Sequence, residues 1–219
     1  MELKEIIEIR QSIRKYKDVD VPEEDIKEIV AAAAKAPSGK NIQNWHFVAI
    51  KNDELKVKIA DAVGVKNEEI AVRMDKVDEV QGERFRKFYK HFTRFFATAP
   101  VLTVVYSKVY TPSGYNELSL VGGAEKELWD LVDYRSPGMQ SVGAAMENYT
   151  LAAIDKGYGT CWITSANYAA KEIEALLKEE IGFEKEGYFM ACMISMGVPE
   201  EDQKSPKKKP VEDVYTFIE

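Results

Sequence analysis

The order of helix-like and strand-like segments is the feature that most limits how this chain of 219 residues can fold. Apolar residues at helical spacing predict helices over residues 2–10, 22–36, 53–63, 69–97, 139–156 and 169–181. Short aromatic and β-branched runs predict strands over residues 45–50, 101–106 and 188–196, with a further short strand after Gly157. Because these elements mix without a β-α-β alternation, they predict an α+β fold and not a doubly wound sheet or a barrel.

Two segments are harder to assign to the core. The charged run 69–97 is predicted as one helix, with a break near Gly82. Residues 107–137 read as irregular, with a short helix at 125–132, and a connection of this length is typical of a functional lid. No linker divides the sequence, so 1–219 is predicted to be one domain that ends in an arm at 198–219.

Composition excludes several classes of function. Thirty Lys and Arg residues against 37 Asp and Glu give a net charge of −7, which disfavours nucleic-acid binding. No apolar run is long enough to cross a bilayer, and the first residues lack the pattern of a signal peptide, so we expect no membrane partner and a cytoplasmic location. Cys161 and Cys192 both lie in apolar surroundings and are predicted to be buried, reduced thiols.

A short basic segment near the amino terminus places Arg10, Ser12 and Arg14 at alternate positions. On a helix the two arginines share a face that Ser12 does not, whereas in an extended chain all three side chains align. Two guanidinium groups and a hydroxyl on one side form a clamp for phosphate. Taken alone, the segment favours the alternative, an ordinary basic end of a helix.

Two further segments suit a flat ligand. Residues 37–47 place polar side chains and flexible backbone between a helix end and an aromatic strand. Residues 157–165 begin with Gly157 and Gly159 and end in small hydroxyl residues, which lets backbone approach a ring. Residues 37–47 have a plainer interpretation as a turn that stops a helix, and each segment alone is a weak signal. The sequence contains no complete phosphate loop, dinucleotide fingerprint or nucleophile elbow, and its two histidines have no zinc-ligand spacing.

Taken together and in this order, the motifs resemble the nitroreductase family of FMN-dependent, NAD(P)H-using oxidoreductases. The resemblance covers the whole chain and also includes Ala99-Pro100 before a strand and a basic tail before Pro210. It implies a three-layer fold with a central, mostly antiparallel sheet flanked by helices. It also implies an intertwined homodimer, with each active site at the subunit interface and each tail reaching over the partner.

The resemblance further assigns roles to residues. It implies that FMN phosphate is held by Arg10, Ser12 and Arg14, joined by Lys207 or Lys208 of the tail. The flavin and ribityl chain would be lined from the other subunit by Pro37, Ser38, Gly39 and Asn41. Trp162, Ile163, Thr164 and Ser165 would lie against the ring, and Arg94 would stand near its pyrimidine edge.

The implied reaction is a ping-pong exchange in which NADH or NADPH reduces FMN and an electron-poor small molecule, such as a nitroaromatic or a quinone, is then reduced. Thr164 stands where many members have Glu or Gly, and its hydroxyl is a candidate catalytic group for one-electron steps. That feature is similar to the iodotyrosine-deiodinase-like branch, so reductive dehalogenation of halogenated phenols is an alternative. A flavin protein fed by ferredoxin or flavodoxin is another. Asn44 replaces a common Pro, and lysines replace the usual tail arginine.

Overall fold

A four-stranded antiparallel sheet positions the rest of the chain, which a computed structural model describes over residues 1–219 apart from the side chain of His91. The strands are β1 Trp45–Ile50, β2 Val101–Lys108, β3 Gly159–Ile163 and β4 Tyr188–Gly197. The helices are α1 Leu3–Ile9, α2 Glu23–Ala33, α3 Asp53–Asp75, α4 Glu79–Phe92, α5 Tyr115–Leu120, α6 Glu125–Trp129, α7 Pro137–Asp155 and α8 Ala170–Ile181. These elements confirm the predicted α+β class.

The strands lie in the order β1-β2-β4-β3, so the two longest strands occupy the middle. The register pairs Trp45 with Ser107 and Val101 with Met196, and it shifts between Val105 and Tyr106. Every neighbouring pair is antiparallel. Strand β1 therefore stands at one edge of the sheet and β3 at the other.

Alternate residues of β2 enter two different apolar clusters, as the pleat of a strand requires. Val101 and Val105 belong to a cluster built with α2 and α7. Leu102 and Val104 belong to a second cluster built with α3 and α8. All four side chains are fully buried. The near-continuous apolar sequence of β2 is explained by this burial on both sides.

The break in the charged helical region lies at residues 76–78, and the prediction of a break near Gly82 was wrong. Asp78 caps α4 by accepting hydrogen bonds from the backbone N–H groups of Val80 (2.9 Å) and Gln81 (3.2 Å). Gly82 lies inside α4, where a β-carbon would collide with the Asp75 carboxylate. The glycine therefore allows α3 and α4 to approach each other closely.

Other boundaries also differ from the prediction. Helix α3 continues past the predicted end at Val63 to Asp75. Helix α8, predicted from residue 169, begins at Ala170, and the side-chain amide of Asn167 just before it donates to the Ala191 carbonyl (2.7 Å). The segment 107–137 contains two short helices, of which α5 was not predicted, and a π-helical turn at Asp130–Tyr134.

Arg86 of α4 joins the two helices of this antiparallel pair through two carboxylates. Its guanidinium donates in bidentate fashion to Asp75 (2.7 and 3.0 Å), and its Nε donates to Glu68 (2.9 Å). These bonds, together with one from Tyr89 to Glu68, lower the pKa of both carboxyl groups. Because both partners of Arg86 sit on α3, the pair is held together by charge as well as by packing.

No helix in the described part of the chain is both long and apolar enough to cross a bilayer.

We predict that Arg86→Met lowers the melting temperature at pH 7 by a few degrees and has less effect in acid. The carboxyl pKa values are lowered in the folded state, so the stability they contribute is present above about pH 4 and is lost as the pH falls through the folded values. Thermal denaturation from pH 7 to pH 3 measures this difference. Arg84→Met, at an exposed position of the same helix, is the matched control. An equal effect of Arg86→Met at both pH values would contradict the assignment.

Candidate functional site

Residues 11–14 are extended and run beside β3, whereas Arg10 is the C-terminal cap residue of α1. Helix α1 ends at Ile9, and Ser12 forms a parallel bridge with Thr160. The Ile13 N–H donates to the Thr160 carbonyl at 2.8 Å. The segment therefore covers the outer edge of β3.

Gly159 permits this close approach. A β-carbon at that position would stand 2.5 Å from Cγ1 of Ile13, well inside van der Waals contact. Tyr16 fixes the far end of the segment, because its hydroxyl donates to the Ile13 carbonyl (2.6 Å) and lies 2.8 Å from Ser195 Oγ. Burial raises the pKa of Tyr16, so its hydroxyl stays neutral. The segment is thus anchored to both β3 and β4.

Ser12 and Arg14 act on the same buried thiol. Burial raises the pKa of the Cys161 thiol, and the Arg14 guanidinium and the Ser12 hydroxyl partly offset this effect. Ser12 and Arg14 occupy alternate positions of the extended segment, so their side chains lie on the same side of it. Both cysteines are free and buried, as predicted.

Arg14 is also positioned by an aromatic ring. Its guanidinium carbon lies 5.9 Å from the ring centroid of Phe95, and its backbone N–H donates to Gln203. Arg94, which precedes Phe95, instead forms an ion pair with Asp61 of α3. The two arginines therefore belong to separate contacts within this chain.

The carboxyl end of β3 presents an exposed aromatic ring and a hydroxyl. Trp162 is 40% exposed, and its indole N–H donates to Thr150 of α7 at 2.8 Å. Ile163 is buried, whereas Thr164 is exposed and Ser165 is half-buried. Among the described residues no partner is found for the Thr164 hydroxyl, although the Thr164 carbonyl accepts from the Asn167 N–H. Sequence reasoning missed Thr150, which lies twelve residues before the ring it orients.

The loop at residues 37–43 is shaped by its own hydrogen bonds. Ser38 Oγ accepts from the Gln43 N–H (2.9 Å), and Asn41 accepts from the Gln43 amide (3.3 Å). Gly39 donates to Ser141 Oγ of α7 at 3.4 Å, while Pro37 is exposed. None of the hydrogen bonds found among the described residues joins this loop to Arg10, Ser12 or Arg14 within one chain.

Gln203 fixes the start of the tail against the basic segment. Its amide oxygen accepts from the backbone N–H groups of Arg14 and Lys15, both at 3.0 Å, and its amide nitrogen donates to the Lys15 carbonyl at 2.8 Å. Lys207 and Lys208 follow closely and are exposed. This anchor was not foreseen, since an isolated glutamine in a charged tail has no distinguishing sequence pattern.

Apart from the buried Ile163, the residues predicted for the site are exposed or half-buried in the single chain. A cavity of about 760 Å³ lies elsewhere, at Tyr106, Phe183 and Tyr188, and contains none of the predicted site residues. The described residues contain no cluster of three or more metal-binding side chains. Fixed cations, a hydroxyl and an exposed indole can hold an anion beside a flat group, but they provide no protein nucleophile paired with a base.

Comparison with known proteins identifies this arrangement. Residues 7–198 match the model of the nitroreductase family. A solved structure of a BluB-like flavoprotein from Clostridium difficile 630 is 57% identical, covers all of both chains and superposes with a TM-score of 0.97.

More distant relatives match smaller shares of their own length. A protein of Archaeoglobus fulgidus, provisionally named NADH dehydrogenase/NAD(P)H nitroreductase, is 26% identical over 198 residues, which are 90% of this chain and 86% of the relative. Iodotyrosine deiodinase of Hydra vulgaris is 32% identical over 121 residues, which are 50% of this chain but only 43% of that protein. The family model alone spans well over half of the sequence, and on that evidence the chain belongs to the nitroreductase family.

Proposed function

We infer that the chain is an FMN-dependent NAD(P)H oxidoreductase that reduces an electron-poor small molecule by a ping-pong mechanism. The observation that carries this proposal is the extended basic segment that contains Ser12 and Arg14 and runs along β3, the strand that also carries the exposed Trp162. Family membership supplies the cofactor and the electron donor. FMN, when bound, provides the hydride-accepting and electron-donating chemistry.

The phosphate end of FMN would lie on the basic segment. Arg10, Ser12 and Arg14 offer guanidinium and hydroxyl donors from one side of an extended chain, and guanidinium groups match phosphate oxygens. The Gln203 anchor starts the tail beside Arg14, which supports Lys207 or Lys208 as a further cation. These residues would bind and orient the cofactor in a protein whose overall charge repels anions.

The ring end would lie against β3 and the residues that follow it. Trp162, held by Thr150, would form the wall beside the ring, with Ile163, Thr164 and Ser165 completing that edge. The Thr164 hydroxyl can donate a hydrogen bond without breaking one, since none is found from it to the described residues. Arg94 would reach the pyrimidine edge only by sharing its guanidinium with Asp61.

A homodimer would complete the site. Among the described residues of one chain, no hydrogen bond is found between the wall just described and the loop that contains Pro37, Ser38, Gly39 and Asn41. The outer edge of β1 has no partner strand among the described residues, and the tail exposes apolar side chains, including Phe217 (68%) and Ile218 (86%). In this proposal the tail, residues 198–219, reaches over a second copy of the three-layer domain, and 107–137 forms the lid.

A second candidate is reductive dehalogenation of a halogenated phenol by one-electron steps. The free Thr164 hydroxyl favours it, together with the similarity of about half the chain to the Hydra deiodinase. The two functions share the cofactor and differ in whether electrons leave singly or in pairs.

The first test is spectroscopic. We expect the purified chain to show a flavin absorbance band that bleaches anaerobically with NADH or NADPH. Arg14→Ala should weaken FMN binding by about 1.5–3 kcal/mol, roughly ten- to a hundredfold in Kd, because a charge-assisted bond is lost. Fluorescence titration of the FMN-free chain measures this. Lys15→Ala is the control, since the neighbouring residue of an extended chain points the other way. A protein that stays colourless with added FMN would refute the proposed function.

The second test separates the two candidates. If Thr164 supports one-electron chemistry, photoreduction of the flavin should proceed in two spectral phases, and Thr164→Val should merge them into one. Ser165→Ala, which removes the adjacent hydroxyl, should leave two phases. A single phase in the unaltered protein would leave the two-electron reduction of a nitroaromatic or quinone as the function.

The third test concerns assembly. Removing residues 211–219 should convert the proposed dimer to a monomer and weaken FMN binding at least tenfold, since the partner loop leaves the site. Sedimentation velocity gives the oligomeric state. Phe217→Asp in the full chain is a milder variant, and Glu219→Ala is its control at the same exposed end. A truncated chain that remains dimeric would contradict the role of the tail.

A further inference from the structure

Asn44 is a fully buried polar residue at the start of β1. Its side-chain amide nitrogen donates to Ser107 Oγ (2.9 Å) and to the Gly138 carbonyl (3.0 Å). The backbone carbonyl of Asn44 accepts a hydrogen bond from the Lys108 N–H at 2.6 Å. Ser107 and Lys108 are the last residues of β2, where the segment 107–137 begins, and Gly138 follows its end in α7. All three bonds of Asn44 therefore go to the two ends of one segment.

Tyr110 adds a second link at the same place. A β-carbon on Gly138 would stand 2.9 Å from Tyr110 Cβ, and one on Gly39 would stand 2.8 Å from the Tyr110 hydroxyl. The ring thus fills the space between the loop 37–43 and the start of α7, and both neighbours are glycines. Asn44 follows that loop directly, so the loop and both ends of the segment meet at one place. We call this place the base; it is formed by Asn44, Ser107, Tyr110 and Gly138.

The backbone on both sides of this base is strained. Lys40, Asn41 and Gln43 have φ values of 54°, 51° and 46°, and Ser136 has a φ of 37°. Non-glycine residues seldom adopt this left-handed region, and strain of this kind persists only where surrounding contacts enforce it. Non-glycine residues in this conformation thus lie next to the contact on both sides, at residues 40–43 and at Ser136.

Asn44 Oδ1 provides an independent sign that the base is incomplete. It is the buried side-chain oxygen or nitrogen that lacks a hydrogen-bond partner within the described residues. A buried acceptor without a donor costs free energy, which a small rearrangement of either strained turn could recover.

We propose that Asn44 is a positioning residue that couples binding of FMN at the loop 37–43 to ordering of the segment 107–137. The inference rests on the proposed function, which assigns that loop to FMN. Bound FMN would fix the loop and with it Asn44, whose side chain joins the two ends of the segment. By thermodynamic linkage, ordering of the segment would strengthen FMN binding by the same factor. Asn44 acts through Ser107, Lys108 and Gly138 and touches no reacting atom.

Amide hydrogen exchange of the full chain, followed by mass spectrometry with and without FMN, tests the coupling. In the unaltered protein FMN should slow exchange across 107–137 by about tenfold, with α8 as a reference segment. In Asn44→Ala that slowing should fall to within about twofold, while loop and segment both exchange faster without FMN. Asn116→Ala, the same chemical change at an exposed position inside the segment, should behave like the unaltered protein.

Ser107→Ala keeps Asn44 in place and removes one acceptor, so it tests the coupling if Asn44→Ala folds poorly. Equal slowing by FMN in the unaltered protein and in both variants would overturn the inference while leaving FMN binding intact. If titration detects no FMN binding, the proposed function fails. The connection between the loop 37–43 and the segment 107–137 is then tested without FMN. If Asn44→Ala speeds amide exchange in only one of these two regions, the connection is refuted.

Discussion

The pairing of residues 12–13 with Thr160 is the interaction on which the candidate site depends. One backbone hydrogen bond and one bridge hold the segment extended, and only an extended segment places Ser12 and Arg14 on the same side. The pairing itself requires Gly159, since any side chain there would push Ile13 away from β3. A glycine that faces no ligand thus decides whether the basic residues form a clamp or a scattered surface.

That pairing also explains how an acidic protein can present a local cationic surface. Gln203 binds the backbone at residues 14 and 15, which starts the lysine-containing tail beside the same segment. Under the proposed function, the tail lysines would join the basic residues of the amino-terminal segment beside β3, whereas α3 and α4 are held together by carboxylates around Arg86. The net charge of −7 therefore says little about the field at the site.

Most of the fold could be predicted because the main elements are long or strongly patterned. Strand β1 agrees with its predicted limits, and α7 and β4 differ by one or two residues at their ends. The break between α3 and α4 was misplaced because a glycine in a helix was given more weight than Asp78, whose capping role depends on three-residue geometry. The basic residues from Arg10 to Arg14 could be selected from their spacing. Whether the segment is extended could not be predicted, because that depends on its pairing with Thr160, which is distant in sequence. Thr150, Gln203 and the base at Asn44 were beyond prediction, since each acts through tertiary contacts with no local pattern.

The open edge of β1 has a consequence for how the chain reaches its working state. An edge strand with unpaired N–H and C=O groups is a template for any extended segment, from a like chain or a foreign one. In a newly made chain, the segment that covers this edge in the working state therefore competes with any other extended segment that can pair with β1. The outcome depends on which of them binds the edge first. Yield of folded protein is then a matter of rate as much as of stability, and it is most at risk where correct partners are scarce.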